Sequence, residues 1–198
     1  MKQSLNFNWK FVSNFKDSYL IEDLKEYEII NIPHTIKEVP YNYFDEKEYQ
    51  QIVTYEKRFD VDYDISNQIH ILRFDAFMVK ADIYLNDIYL GKFVSLYIPV
   101  EIDVTQYLKQ KDNRLLVVLD SHEDKNYPPF GLVVDYLTFS GIYREVNLYS
   151  HPKTYLKDIF INGDMNGNIN IKYQKVGNND IDISHTLYPY PMNDNYLV

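Results

Sequence analysis

Carboxylates are the groups in this sequence most able to do chemistry, yet none stands in a pattern that commits it. Glu22, Glu46, Glu48 and Glu123 lie in polar segments, where a carboxylate is solvated rather than tuned for proton transfer. Asp120-Ser121-His122-Glu123-Asp124 gathers hard oxygen ligands that would suit calcium, and also reads as a solvated acidic loop. His34, His70, His122, His151 and His185 are scattered without metal-ligand spacing, so each reads as structural or exposed. There is no cysteine, hence no thiolate nucleophile, thiolate metal site or disulfide framework. No serine or lysine sits in a nucleophile or phosphate-binding motif. No catalytic residue is nominated. The 20 tyrosines fit an all-β fold as strand formers, or a sugar-binding face as stacking platforms.

The elements that would position such groups are strands. In Ile69 to Gly91, Leu72, Phe74 and Ala76 share one face of an extended segment, with Ile71, Arg73 and Asp75 on the other. After a bend at Phe77-Met78, Ala81, Ile83 and Leu85 alternate with polar or tyrosine positions. Asn86 and Asp87 tolerate positive φ, so a two-residue hairpin turn is expected there, with Leu85 opposite Ile88, Tyr84 opposite Tyr89 and Ile83 opposite Leu90. Leu5, Phe7, Trp9 and Phe11 predict a first strand. Val53 to Phe59, extended by Val61, predicts another, and Val94, Leu96 and Ile98 a further one. Thr105 is placed to cap a helical turn at Gln106–Leu108. The unbroken apolar run Leu115 to Leu119 predicts a strand covered on both faces. Ile142 to Tyr149 closes this part of the chain.

About nine strands and almost no helix indicate an all-β sandwich. Composition shifts at His151-Pro152, giving expected domains at 1–152 and 153–198. The second holds three strand candidates, Leu156–Ile161, Asn168–Tyr173 and Ile181–Thr186. A full sandwich needs roughly seven strands, so the chain is expected to end inside that domain. The formal net charge of -9 and the lack of a Lys/Arg cluster argue against nucleic acid as a partner. No run reaches the roughly 18 apolar residues of a membrane helix. The opening Met1–Phe11 is not a signal peptide as it stands, so a cytoplasmic location is expected.

Leu5-Asn6-Phe7-Asn8-Trp9-Lys10-Phe11, Ile32-Pro33-His34-Thr35 and Tyr55-Glu56-Lys57-Arg58-Phe59 resemble the opening of glycoside hydrolase family 2, the β-galactosidase and β-glucuronidase family. Leu72-Arg73-Phe74-Asp75, Ala81 to Asn86 with Gly91, Ile102-Asp103-Val104-Thr105, Asn113 to Val118 and Ser140-Gly141-Ile142-Tyr143-Arg144-Glu145-Val146 continue in the family's order, although the family usually writes Asn-Gly in the hairpin turn. The resemblance implies a jelly-roll, galactose-binding-like sandwich followed by a partial immunoglobulin-like sandwich.

It also implies what is missing. Members are retaining glycosidases whose two glutamates lie on a barrel beyond the second sandwich, and this sequence ends before that barrel. The chain is therefore expected to be the non-catalytic portion of a β-galactosidase, inactive alone, with a β-galactoside-class carbohydrate and its own barrel as partners. A homo-oligomer of the complete enzyme stays open. A free-standing carbohydrate-binding module and a structural or assembly domain are the alternatives. By resemblance, Asp135 matches an aspartate that contacts the galactosyl unit and a bound sodium ion, with an ordinary loop aspartate as the other reading. Asn42 resembles a sugar-contacting asparagine, or is a turn residue. No cofactor is expected in this chain, and sodium or magnesium is implied only for the complete enzyme. Arg144 is expected to pair with Asp75 or Asp103.

Overall fold

The computed structural model of the chain describes residues 1–38, 40–42, 45–128, 130 and 140–187. It divides into two compact units, Met1–Pro152 and Lys153–Val198. In the first, apolar alternation produces ten strands among the described residues. They are β1 (Lys2–Ser4), β2 (Trp9–Val12), β3 (Glu28–Ile30), β4 (Ile52–Phe59), β5 (Gln68–Phe74), β6 (Lys80–Leu85), β7 (Ile88–Val94), β8 (Val100–Asp103), β9 (Asn113–Asp120) and β10 (Val146–Pro152). Six form a sheet in the order β3-β2-β4-β9-β6-β7, and four form a second in the order β1-β10-β5-β8. Trp9, Tyr55, Ile83 and Leu115 of the large sheet share one buried cluster with Leu72, Phe74, Ile102 and Leu148 of the small one. Two antiparallel sheets closed over one core make the expected jelly-roll sandwich.

Strand β9 shows why its sequence is apolar throughout. Leu115, Val117 and Leu119 enter the core, while Leu116 and Val118 point the other way and are still buried, at 1% and 8% exposure. The segment from Ser13 to Tyr27 crosses that outer face. Thr54 Oγ1 donates to the Asn14 carbonyl at 2.7 Å, Leu24 is buried, and Arg114 donates to the carbonyls of Tyr19, Leu20 and Glu22. Arg114 Nε also meets Glu56 Oε2 at 2.9 Å, and Lys10 Nζ takes the other Glu56 oxygen at 2.7 Å. A carboxylate buried on β4 is thus flanked by two cations, the condition under which burial of a charge is tolerable.

Several expectations are corrected by local geometry. The run Leu5 to Phe11 is two strands, because Asn8 adopts φ 57°, its N–H bonded to Asn31 Oδ1 at 3.0 Å. That turn sends β1 and β2 to different sheets and leaves Phe7 exposed. The β6–β7 turn has positive φ at Asn86 and Asp87, and Tyr84 faces Tyr89 as expected. A bulge then places Ile83 opposite Gly91 instead of Leu90, and Ile88 lies exposed on the edge strand. No strand continues through Leu96 and Ile98. Leu96 has φ 59°, and Ser95 Oγ closes a turn by donating to the Ile98 carbonyl at 2.7 Å. Strand β4 stops at Phe59, although Val61 is still buried.

Thr105 does not cap a helix. Its hydroxyl donates to Asp103 Oδ1 and accepts from the His70 N–H, and Gln106 to Leu108 form only a hydrogen-bonded turn onto the Val104 carbonyl. Arg144 is exposed over the Tyr143 ring, 5.7 Å from its centroid, and forms no ion pair among the described residues. Asp75 is taken instead by Arg73, two residues before it in the chain, at 2.7 Å.

The second unit contains β11 (Tyr155–Gly163) and β12 (Ile169–Val176), an antiparallel hairpin. Asp164 Oδ1 ties its turn by accepting from the Asn166 and Asn168 amides. Ile181–Thr186, expected as a third strand, is irregular. Only Ile181 and Ile183 of its six residues are apolar, and it pairs with no strand among the described residues.

Candidate functional site

Two long loops leave the sandwich at one end, and their roots are crossed. The first runs from Pro33 to Gln51, between β3 and β4, and the second follows β9 from Ser121. The Ile36 N–H donates to the Ser140 carbonyl at 3.4 Å, and the Ser121 N–H donates to the Gln51 carbonyl at 3.0 Å. Each loop therefore starts beside the point where the other ends, and residues far apart in sequence share one rim.

The first loop is braced from inside. Tyr49 is buried and its hydroxyl donates to the Glu38 carbonyl at 3.2 Å, while Lys37 and Glu48 pair at 2.5 Å. This brace leaves Asn42 exposed beside a fully exposed Tyr41, with no hydrogen bond to the described residues. A free carboxamide can donate and accept at once, the pairing that adjacent sugar hydroxyls require. An exposed phenol ring beside it offers a stacking face.

The second loop begins on a small cluster of its own. Ser121 Oγ donates to the Met78 carbonyl at 2.8 Å, and Tyr127 and Tyr143 pack on Met78, Val79 and Leu96. The Tyr143 hydroxyl donates to the Leu96 carbonyl. Burial raises the Tyr143 phenol above its ordinary range, and nearby Arg144 partly opposes this. Asp135, expected to meet both sugar and cation, lies outside the described residues together with its neighbours from 131 to 139.

The acidic stretch after β9 is occupied by protein groups. Lys80 Nζ lies 3.4 Å from Asp120 and 3.7 Å from Asp124, and His122 Nδ1 is 2.7 Å from Asp120. Burial alone would raise the Asp120 carboxyl, but hydrogen bonds from His122 and the charge of Lys80 outweigh it and hold it below its usual range. Among the described residues no three His, Asp or Glu side chains gather to hold a metal ion. Two other histidines are structural: His70 is buried between Ser150 Oγ and the Ile65 carbonyl, and His151 stacks on Tyr149.

Sequence reasoning missed how the rim is held. His34 Nδ1 meets the Tyr55 hydroxyl at 3.0 Å, the His34 N–H donates to the Ile142 carbonyl at 2.8 Å, and the Met78 N–H donates to the Gly141 carbonyl at 3.1 Å. Burial depresses the His34 imidazole, with the Glu28 carboxylate opposing, and burial pushes the Tyr55 phenol far up. The available signal was Gly141 itself, a glycine within the Ser140-Gly141-Ile142-Tyr143-Arg144 motif.

A family model described as "Glycosyl hydrolases family 2, sugar binding domain" matches residues 3–152. A β-galactosidase of Thermoanaerobacterium thermosulfurigenes is 37% identical over 158 residues, covering 78% of this chain and 22% of its own length. One from Thermoanaerobacter pseudethanolicus is 35% identical, covering 79% of this chain and again 22% of its own length. The chain thus spans about a fifth of the curated relatives it matches. Among solved structures, a β-glucuronidase of Ruminococcus gnavus in complex with D-glucuronic acid superimposes with a TM-score of 0.76 at 21% identity, over 90% of this chain and 35% of that one. A Bifidobacterium dentium β-glucuronidase, complexed with coumarin-3-O-glucuronide, gives 0.71 at 26% identity, over 83% and 32%.

Proposed function

Because the chain belongs to the sugar-binding domain family of the family 2 glycosyl hydrolases, we propose that it is the non-catalytic portion of a β-galactosidase, where it supports a catalytic barrel and lends loop residues to its sugar pocket. The observation that carries this reading is the 37% identity to a β-galactosidase over 158 residues, with only 22% of that relative's length matched. The rim geometry supports the pocket role. Asn42 is presented without a partner among the described residues, and the roots of the two loops are hydrogen-bonded to each other at one end of the sheets. Asp135 and Asn42 would contact the substrate.

A sodium or magnesium ion belongs to this proposal only in the complete enzyme, through Asp135. A hard carboxylate oxygen is a suitable ligand for either ion. The described residues offer no ready cation site of their own. The barrel would supply the acid/base and nucleophile.

The test uses this chain and the complete protein that contains it. The 198-residue chain alone should release no nitrophenol from β-galactoside, β-glucuronide or β-mannoside. The complete protein should hydrolyse the galactoside fastest, and Asp135→Asn in it should lower kcat/KM at least tenfold with the thermal midpoint unchanged. Turnover by the isolated chain overturns the non-catalytic role, and faster glucuronide hydrolysis by the complete protein overturns the galactoside class.

A further inference from the structure

We infer that His34, Tyr55 and Gly141 are positioning residues, a lock that sets where the second rim loop rejoins the sandwich; the consequence for a sugar pocket rests on the proposed function, whereas the lock itself does not. Ser140, Gly141 and Ile142 are gripped from two directions. On one side the amides of Ile36 and His34 donate to the carbonyls of Ser140 and Ile142, at 3.4 Å and 2.8 Å. On the other the Met78 amide donates to the Gly141 carbonyl at 3.1 Å.

Gly141 makes this double approach possible. Its φ of 108° is open to glycine and strained for other residues. A methyl group on its Cα would overlap the His34 carbonyl oxygen, and would lie 3.1 Å from both Thr35 Cα and the Tyr55 hydroxyl. Missing bulk here is therefore a structural part.

Tyr55 and His34 complete the lock. Tyr55 is fully buried on β4, and its hydroxyl reaches His34 Nδ1 at 3.0 Å while lying against the Ile142 backbone. Burial favours the neutral imidazole, whose unprotonated Nδ1 accepts from the phenol. The Phe11 ring packs on both partners, with centroids 4.8 Å from His34 and 5.0 Å from Tyr55. Strands β2 and β4 thereby transmit the rigidity of the core to Ser140, itself 1% exposed. A displaced root moves everything the loop carries, and misplacing a substrate-positioning group by about 1 Å can cost about 10²-fold in rate.

Two variants test this, one severe and one mild. In the 198-residue chain, Gly141→Ala should speed hydrogen exchange at the His34, Ile36 and Met78 amides at least tenfold, while the β9 amides keep their protection. Tyr55→Phe keeps the ring and removes only the hydroxyl, so it should give a smaller acceleration confined to Ile142, whose amide donates to that hydroxyl, and to His34 and Ile36. Unchanged exchange at these amides in both variants overturns the lock. In the complete protein, Tyr55→Phe should lower kcat/KM for the hydrolysed glycoside about tenfold, mostly through KM, well below the thermal midpoint. Faster exchange with unaltered kinetics in an active enzyme overturns the positioning role. A complete protein that hydrolyses no β-glycoside overturns the proposed function, and the exchange result then decides the lock alone.

Discussion

Strand β9 carries a charged cluster at each end, and the two are built on opposite plans. At one end Arg114, with a side chain 7% exposed, spends all five N–H groups: one on Glu56, one on Asp87, and three on carbonyls of the crossing segment. At the other end Lys80 lies among Asp120 and Asp124 at longer distances, 24% exposed, with water able to replace any partner. The difference teaches that a charge pair gains structural weight from the groups it leaves stranded when broken. Exposed pairs contribute little, since solvent screens them and covers their loss. A buried pair is costly to break because the remaining charge has nowhere to go.

Breaking the buried cluster should produce the largest effect. Arg114→Met leaves Glu56 with Lys10 alone and strands three carbonyls, so the urea-derived stability should fall by about 3–5 kcal/mol. A loss below about 1 kcal/mol would erase the contrast between the two ends. Arg114→Lys should be intermediate, about 2 kcal/mol, because an ammonium on a flexible stem cannot reproduce the planar five-donor fork. Lys80→Met should cost no more than about 1 kcal/mol in the same denaturation series.

The smallest effect is a pH dependence. The folded Asp120 carboxyl lies below its unfolded value, so the stability it contributes is complete above that unfolded value, near 3.8. It is lost as pH falls through the folded value. Asp120→Asn should flatten the stability profile only in that acid window; an unaltered acid limb would remove Asp120 from the comparison.

Much of the sandwich was legible because its signals are local. Asn86-Asp87 announced a turn through tolerance of positive φ, and Ala81, Ile83 and Leu85 announced which face is buried. The bulge opposite Ile83 was not legible, since one extra residue in an edge strand leaves no mark on the apolar pattern. Phe7 kept perfect alternation and still faces solvent, because Asn8 reversed the chain beside it. The unbroken run in β9 said that both faces are covered without saying by what. The cover is mostly polar and is held largely through its carbonyls, with Leu24 as its one buried side chain. At the rim, motif order singled out Ser140-Gly141-Ile142, but the need for glycine appears only when the His34 carbonyl is seen against it. That contact joins segments with no local relation in sequence.

The pairing of β1 with β10 fixes an order of events during synthesis. Lys2, Gln3 and Ser4 find their ladder partners only at Tyr149, Leu148 and Asn147, and Tyr19 and Leu20 give their carbonyls to Arg114. On a ribosome adding about 5–20 residues per second, the earliest residues emerge many seconds before anything exists for them to bind. Until then the face that will carry Leu116 and Val118 is unmade, and the segment meant to cover it waits as unstructured chain. Such non-local closure favours slow, late and concerted folding. Nascent chains stalled before Arg114 should therefore be fully protease-sensitive, and protection should arrive in one step once β10 clears the exit tunnel.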